Sequence, residues 1–154
     1  MAVYMLALLI GVIAGLRAMT APAAVSWAAS FGLINLEGTW LAFLGYRFTP
    51  WIMTVLAIGE LIGDQLPTTP SRKTLLPFAT RIIVGGLCGG AIAAQSGSFL
   101  GGLVAGAVGG IIGTLGGAEG RARLAAAFGK DRPAALIEDV IAILGAALIM
   151  GVVS

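Results

Sequence analysis

The sequence has no histidine, one cysteine and few charged residues, and each shortage excludes a kind of chemistry. Without histidine, zinc and haem sites of the usual kind and a Ser-His-Asp triad are excluded. The single cysteine, Cys88, excludes a disulfide within the chain and a cysteine-rich metal site. The oxygen ligands that remain suit Na⁺, Mg²⁺, Ca²⁺ or protons. We therefore expect no cofactor apart from Na⁺, H⁺ or Mg²⁺ at carboxylates.

The scarcity of charge also indicates where the protein resides. Charged residues make up 10% of the 154 residues and apolar residues 58%, with a mean hydropathy of +1.02. Soluble domains carry about 25% charged residues. We therefore predict a single integral membrane domain over residues 1–154, with the lipid bilayer as its partner. The formal net charge of +2 is too small to indicate nucleic-acid binding.

What the sequence has in excess is glycine, concentrated between residues 97 and 120. This segment holds 10 of the 24 glycines. In a bilayer the backbone must satisfy its own hydrogen bonds, so we predict a helix here despite the low helix propensity of glycine. Glycines four residues apart form flat faces that allow close approach of another helix. The predicted packing residues are Gly102, Gly106 and Gly110, and Gly109, Gly113 and Gly117. A second interpretation is that these glycines line a path or a hinge.

Prolines and polar segments divide the chain into five predicted helices of an all-α, polytopic membrane bundle around this Gly-rich helix. Three prolines, Pro50, Pro77 and Pro133, precede apolar runs and fit the first turn of a helix. The first helix contains Pro22, which predicts a kink or break between Arg17 and Pro22. Residues 33–49 are too short and mixed to span, and we predict an interfacial or re-entrant segment. The predicted helices cover residues 3–31, 50–66, 77–95, 98–128 and 133–153.

With five spans, nearly all basic residues lie on one side of the membrane. The positive-inside rule makes that side cytoplasmic. This predicts a bacterial inner-membrane protein with its N-terminus inside and its C-terminus outside. The basic residues would fix topology and touch anionic lipid, and a specific phosphate-headgroup site is the alternative. They are Arg72, Lys73, Arg81, Arg121, Arg123, Lys130 and Arg132.

Residues 11–32 and 109–129 show a weak internal similarity. Both begin Gly-x-Ile-x-Gly and end Ala-Ala-x-Phe-Gly, and a helix that carries acids follows each. With five spans the two units would cross the membrane in opposite directions, as in the inverted repeats of secondary transporters. Chance similarity between two Gly- and Ala-rich helices is the other interpretation.

Four acids inside the predicted helices are candidates for a functional site. Glu60 and Asp64 are four residues apart and project from one helix face. Glu138 and Asp139 are adjacent near the start of the last helix, so only one need face the bundle centre. Ionisable groups within membrane segments are costly and commonly mark function. For Glu60 and Asp64, the alternative is a set of structural ion pairs with Arg81, Arg121 or Arg123; for Glu138 and Asp139, the alternative is that one of the two acids simply suits the positive helix N-terminus.

Arg17 and Thr20 lie at the predicted break in the first helix. A fixed cation beside backbone groups exposed at a break suits an anion or counter-ion site. Together with the four acids, these two residues form the candidate substrate or ion path. In the alternative interpretation, the helix is shifted outward and Arg17 reaches the opposite headgroups.

Four segments resemble an uncharacterised family of bacterial multi-span inner-membrane proteins known as a domain of unknown function (DUF4126-like). They are GLRAMTAP, GELIGDQLPTTPSR, GRARLA and LIEDVIAI. The most specific part is the combination of Glu60, Asp64 and Pro67 with the later Glu-Asp pair. The family tends to have lysine where this chain has Gln65, so an ion pair from that position is in doubt. The resemblance implies a multi-span membrane protein in which these acids are signature positions, and it implies no substrate.

The residues favour a small secondary transporter or channel for an ion or small solute. A homodimer or higher homo-oligomer, joined through a small-residue face, would compensate for the small size of one copy. No acid spacing matches a metal-dependent transferase, so a protein that is not an enzyme is favoured. Two alternatives stay open: a lipid-headgroup protein or enzyme that binds phosphate through Mg²⁺ and arginines, and a structural or assembly protein.

Overall fold

The computed structural model describes residues 2–34, 36, 40–63, 75–94, 96–129 and 131–153. These residues form helices and turns without any strand, which confirms the all-α prediction. The described residues contain six α-helices, whereas the sequence predicts five for the chain. They are α1 (Ala2–Leu16), α2 (Thr20–Ser30), α3 (Thr49–Gly63), α4 (Leu75–Ala94), α5 (Phe99–Phe128) and α6 (Asp131–Val153), with a short 3-10 helix, η1 (Trp40–Gly45), before α3.

One helix, α5, is long and apolar enough to cross a membrane. Its 30 residues extend about 45 Å at 1.5 Å per residue. Two further segments, Ala2–Leu16 and Phe78–Ala94, are apolar but shorter. The described helices therefore include one of clear membrane length, and the five-span bundle stays a prediction.

The central helix is α5, and α1 and α4 pack along it through glycine faces. A Cβ atom on Gly106 would overlap the carbonyl group of Gly85 in α4. A Cβ atom on Gly109 would overlap the carbonyl oxygen of Leu8 in α1. The backbones are in direct contact, which only glycine permits at these positions. The buried glycines of α5 are Gly102, Gly106, Gly109, Gly110 and Gly113.

These glycine contacts join helices of the same chain. The glycine faces of α5 are therefore covered by α1 and α4, and the predicted homo-oligomer stays a prediction. Gly117 is half-buried, unlike Gly109 and Gly113 of the same series, and it lines a cavity together with Gly113.

The order of the contacts gives the direction of each helix. Tyr4 lies against Gly101 and Val12 against Gly113, so α1 runs parallel to α5. The contacts of α4 with α5 proceed in the reverse order, so α4 is antiparallel to both. Residues 11–16 of the first similar stretch lie in α1 and run parallel to α5, whereas residues 20–30 lie in the separate helix α2, so this stretch is not one span inverted relative to residues 109–129.

Helix α6 is antiparallel to α1. The side chain of Ile13 lies against Gly145, whereas Arg17 reaches back to Asp139. The first and last described residues therefore lie towards the same end of the bundle, where α5 begins. The prediction of one helix over residues 3–31 puts the two termini on opposite sides, whereas two helices cover this stretch in the structure.

That predicted first helix is two helices that run in opposite directions. The chain leaves α1 at Arg17, turns, and begins α2 at Thr20. Helix α2 and the part of α6 from Ile143 to Gly151 line one cavity. This part of α6 lies beside the earlier turns of α1, because Gly145 contacts Ile13. Helix α2 therefore folds back along α1. Pro22, which has no amide hydrogen, lies in the first turn of α2, where none is needed.

Helix α3 returns along α2 in the antiparallel direction. Trp27 Nε1 donates to Thr54 Oγ1 at 2.8 Å near the start of α3. Glu60, near the end of α3, accepts hydrogen bonds from the turn that precedes α2. Within the described residues, α3 packs mainly on α2 and η1, so it is the most peripheral of the six helices.

Candidate functional site: charged side chains at the helix break

Arg17 lies at the break between α1 and α2 and is fully buried. Its Nε donates to Asp139 Oδ1 at 2.6 Å, and its Nη2 forms an ion pair with the same oxygen. Its Nη1 lies 3.3 Å from Glu138 Oε1 and 3.1 Å from the carbonyl oxygen of Leu16. Because Arg17 is enclosed by these partners, the interpretation in which it reaches the headgroups is wrong.

Both acids at the start of α6 turn inward. Glu138 and Asp139 are 6% and 7% exposed, although neighbours on a helix point about 100° apart. The forked guanidinium of Arg17 offers donors in several directions, so it can reach two carboxylates that do not share one face. The sequence requires only one of the two acids to face the bundle centre. The length and shape of the Arg17 side chain allow both acids to face it.

Glu60 caps the start of α2. Its Oε1 accepts a hydrogen bond from the amide of Ala18 at 2.7 Å, and its Oε2 accepts one from Met19 at 2.9 Å. The first amides of a helix have no partner within the helix, and a negative charge there is favoured by the helix dipole. The carboxylate thus satisfies donors that the break exposes.

Arg81 approaches Glu60 from α4, with its Nη2 3.8 Å from Glu60 Oε1. The sequence leaves two interpretations of Arg81, contact with lipid or an ion pair with Glu60 or Asp64; in the structure it is 7% exposed and lies beside Glu60. The reason is its position four residues before Gly85, on the face by which α4 packs against α5. The spacing from Arg81 to Gly85 and Gly89 is the sequence signal that identifies it as a buried residue.

These five residues form what we call the charge cluster: Arg17, Glu60, Arg81, Glu138 and Asp139. It joins the α1–α2 break to α3, α4 and α6, so it involves all of the described α-helices except the central one. Two cations face three carboxylates, a formal sum of −1 within the described residues. The sequence predicts the residue types, whereas the amide partners of Glu60 at Ala18 and Met19 carry no sequence signal.

Two cavities adjoin the charge cluster. The α1–α5–α6 cavity measures about 310 Å³ and has Glu138 and Arg121 in its wall. The α2–α3–α6 cavity measures about 540 Å³ and includes Thr20, the first residue of α2, which is itself 8% exposed. Apart from these residues, both walls are predominantly apolar.

The remaining predicted site residues are spread over several places. Arg123 is exposed and pairs with Glu119 one turn earlier at 2.9 Å, away from the cluster. Arg132 lies in the first turn of α6. Within the part of the chain that the structure describes, no group of three acids, cysteines or histidines is arranged to hold a metal ion. Four predicted residues lie outside the described residues: Asp64, Arg72, Lys73 and Lys130.

Comparison with known proteins adds no assignment. No family model, no curated protein and no solved structure matches the chain. The resemblance to the DUF4126-like family therefore stays a prediction, and the function must be argued from the site itself.

Proposed function

We propose that the protein is embedded in the bacterial inner membrane. The support is its surface, because large apolar side chains are exposed along the outer faces of α3, α5 and α6. Val55 and Ile62 are 66% and 62% exposed, and Leu100, Val104 and Leu148 are 74%, 60% and 71% exposed. Soluble monomers rarely show contiguous apolar patches of more than a few hundred Å². A bilayer is the solvent that suits such a surface.

In this proposal α1 and α2 form a re-entrant pair. The 15 and 11 residues of these helices extend about 22 and 16 Å, less than the roughly 30 Å hydrocarbon core. The chain then crosses to the other side through α3, whose 15 described residues are no more than those of α1, and α4, α5 and α6 span. The end of the bundle that carries Arg121 and Arg123 faces the cytoplasm by the positive-inside rule, which places both termini outside.

Within the membrane, we propose that the protein is a secondary transporter or channel for a small ion or solute. One observation carries this: a fully buried, ion-paired arginine lies at the turn between two short antiparallel helices, and a carboxylate binds the amides that this turn exposes. Replacing buried ion pairs by apolar residues is often neutral or stabilising, so four buried charges and the half-buried Glu60 are not explained by stability alone. Ionisable groups within membrane segments, beside helix ends that lie inside the bundle, are typical of transport sites.

The test is flux into liposomes containing the purified protein, measured for H⁺, Na⁺ and a panel of small solutes. We expect flux of at least one of them, reduced about tenfold or more in Glu138→Gln, since losing about 1.4 kcal/mol of barrier-lowering interaction slows a step tenfold. Glu119→Gln, an exposed acid on α5, is the matched control and should keep wild-type flux. Equal flux in all three proteins, or none in any, contradicts the proposal.

A structural or assembly role is the second candidate. It is favoured by the pairing itself, since Glu60, Glu138 and Asp139 each lie beside an arginine within the bundle. In this case the cluster fixes the re-entrant pair against α3, α4 and α6 and moves no solute. Absence of flux from a folded, reconstituted protein would favour this role over transport.

A further inference from the structure

The α2–α3–α6 cavity is a gap between two helices that do not pack on each other. Helix α2 forms its floor, and α3 and α6 form its walls. Within the described residues, contact between α3 and α6 is marginal at most, so the position of α3 depends on α2 and η1. Whatever fills about 540 Å³ here completes the packing between α3 and α6.

The wall chemistry indicates an apolar occupant. Alanine, isoleucine, methionine and aromatic side chains make up most of the lining. The hydroxyl of Thr54 is already engaged, because it donates to the carbonyl oxygen of Pro50 at 2.7 Å and accepts from Trp27 Nε1 at 2.8 Å. Ordered water needs two to four polar partners, which this wall does not provide. A hydrocarbon group suits it.

The cavity opens to the side of the bundle, between the outer faces of α3 and α6. The rim is continuous with the exposed apolar surface, since Phe31, Ile58 and Ile143 are 69%, 51% and 47% exposed. A chain from the surrounding bilayer can therefore enter from the side without crossing a polar barrier.

We propose that the α2–α3–α6 cavity binds one hydrocarbon chain of a bilayer lipid, which fills the space between α3 and α6 above α2. This inference rests on the proposed membrane location but not on the transport activity. Because Thr20 begins α2 and lines the cavity, the bound chain also packs against the helix whose amide end Glu60 caps. The lipid would therefore support the position of α2 beside the charge cluster.

The experiment is quenching of tryptophan fluorescence by bromine on lipid chains, with the full chain in vesicles of dibrominated phosphatidylcholine. Trp27 lines the cavity, and Trp40→Phe with Trp51→Phe leaves it as the sole tryptophan. We expect brominated chains to quench Trp27 strongly and aqueous acrylamide to quench it weakly. Adding Ala147→Phe, which fills the cavity from α6, should remove most of the lipid quenching. Ala147→Leu introduces a smaller side chain and should remove less of it.

The matched control is Ala122→Phe, an exposed alanine on α5 outside the cavity, which should leave Trp27 quenching unchanged. A protein with only Trp51, which is 62% exposed, reports membrane embedding separately. If brominated lipid fails to quench Trp51, the membrane location itself is wrong. If it quenches Trp51 but not Trp27, or if Ala147→Phe has no effect, only the lipid-chain proposal is overturned. Protection of Trp27 from both quenchers, as by a second copy, also overturns it.

Discussion

Arg17 Nε donates a hydrogen bond to Asp139 Oδ1 at 2.6 Å and thereby joins residues 122 positions apart in the sequence. Arg17 directly follows the first helix, and Asp139 lies in the third turn of the last helix. The bond connects the break in the chain to the helix that closes the bundle. Removing either partner leaves a buried charge without its main counter-charge, which is the costly case for ion pairs.

We expect Arg17→Gln to destabilise the protein by about 3–5 kcal/mol, because Asp139 and Glu138 stay buried without their shared cation. The double variant Arg17→Gln with Asp139→Asn should recover part of that loss, since the uncompensated charge is removed. The free energy of unfolding in mixed micelles, obtained by denaturant titration, measures both. Arg123→Gln, at an exposed pair, should change little. Additive losses in the double variant would mean that the two residues are not coupled.

Glu60 should control the stability of the turn before α2. In Glu60→Ala the amides of Ala18 and Met19 lose their acceptor, and hydrogen bonds to charged groups contribute about 1.5–3 kcal/mol each. Hydrogen exchange at these two amides should accelerate strongly, while Glu60→Gln, which keeps one acceptor oxygen, should show an intermediate rate. Exchange in the middle of α5 serves as the internal reference. Unchanged exchange at residues 18 and 19 would show that the cap does not form.

Gly109 and Gly116 on α5 should respond oppositely to the same substitution. A Cβ atom at Gly109 would overlap the carbonyl oxygen of Leu8, whereas one at Gly116 meets nothing within 4 Å. Gly109→Ala should therefore cost about 1–3 kcal/mol through overpacking, and Gly116→Ala should be neutral or stabilising by up to about 1 kcal/mol. Unfolding in mixed micelles measures both. If Gly109→Ala is tolerated as well as Gly116→Ala, α1 does not lie against α5 as described.

The two termini should be accessible from the same side of the membrane. This follows from α1 running parallel to α5 while α6 runs antiparallel to both. Epitope tags at the N- and C-termini should both be detected on intact spheroplasts. A cysteine introduced by Ala126→Cys at the other end of α5, in a Cys88→Ser background, should be labelled only after permeabilisation. Tags on opposite sides would restore the five-span topology.

Much of the bundle was predictable from local sequence. The ends of α4, α5 and α6 lie within about two residues of the predicted ends. Prolines, polar connecting segments and hydrogen bonds within each helix act on neighbouring residues, so local sequence is enough to place these ends. The break before Pro22 was predictable for the same reason. The direction of the chain after the break was not predictable, because a proline determines where a helix ends but not which helices the next helix packs against.

The site shows the same division between local and tertiary information. Composition and spacing indicate that the chain is helical and apolar, that charges are scarce, and that Arg17, Glu60 and the Glu-Asp pair of α6 are unusual in such a chain. The tertiary contacts select Arg81 among the candidate partners of Glu60, bring Glu60 to two backbone amides, and turn α2 back along α1. Helix formation depends on bonds within four residues, whereas Arg17 is stabilised by Asp139, 122 residues away, and composition does not specify such a partner.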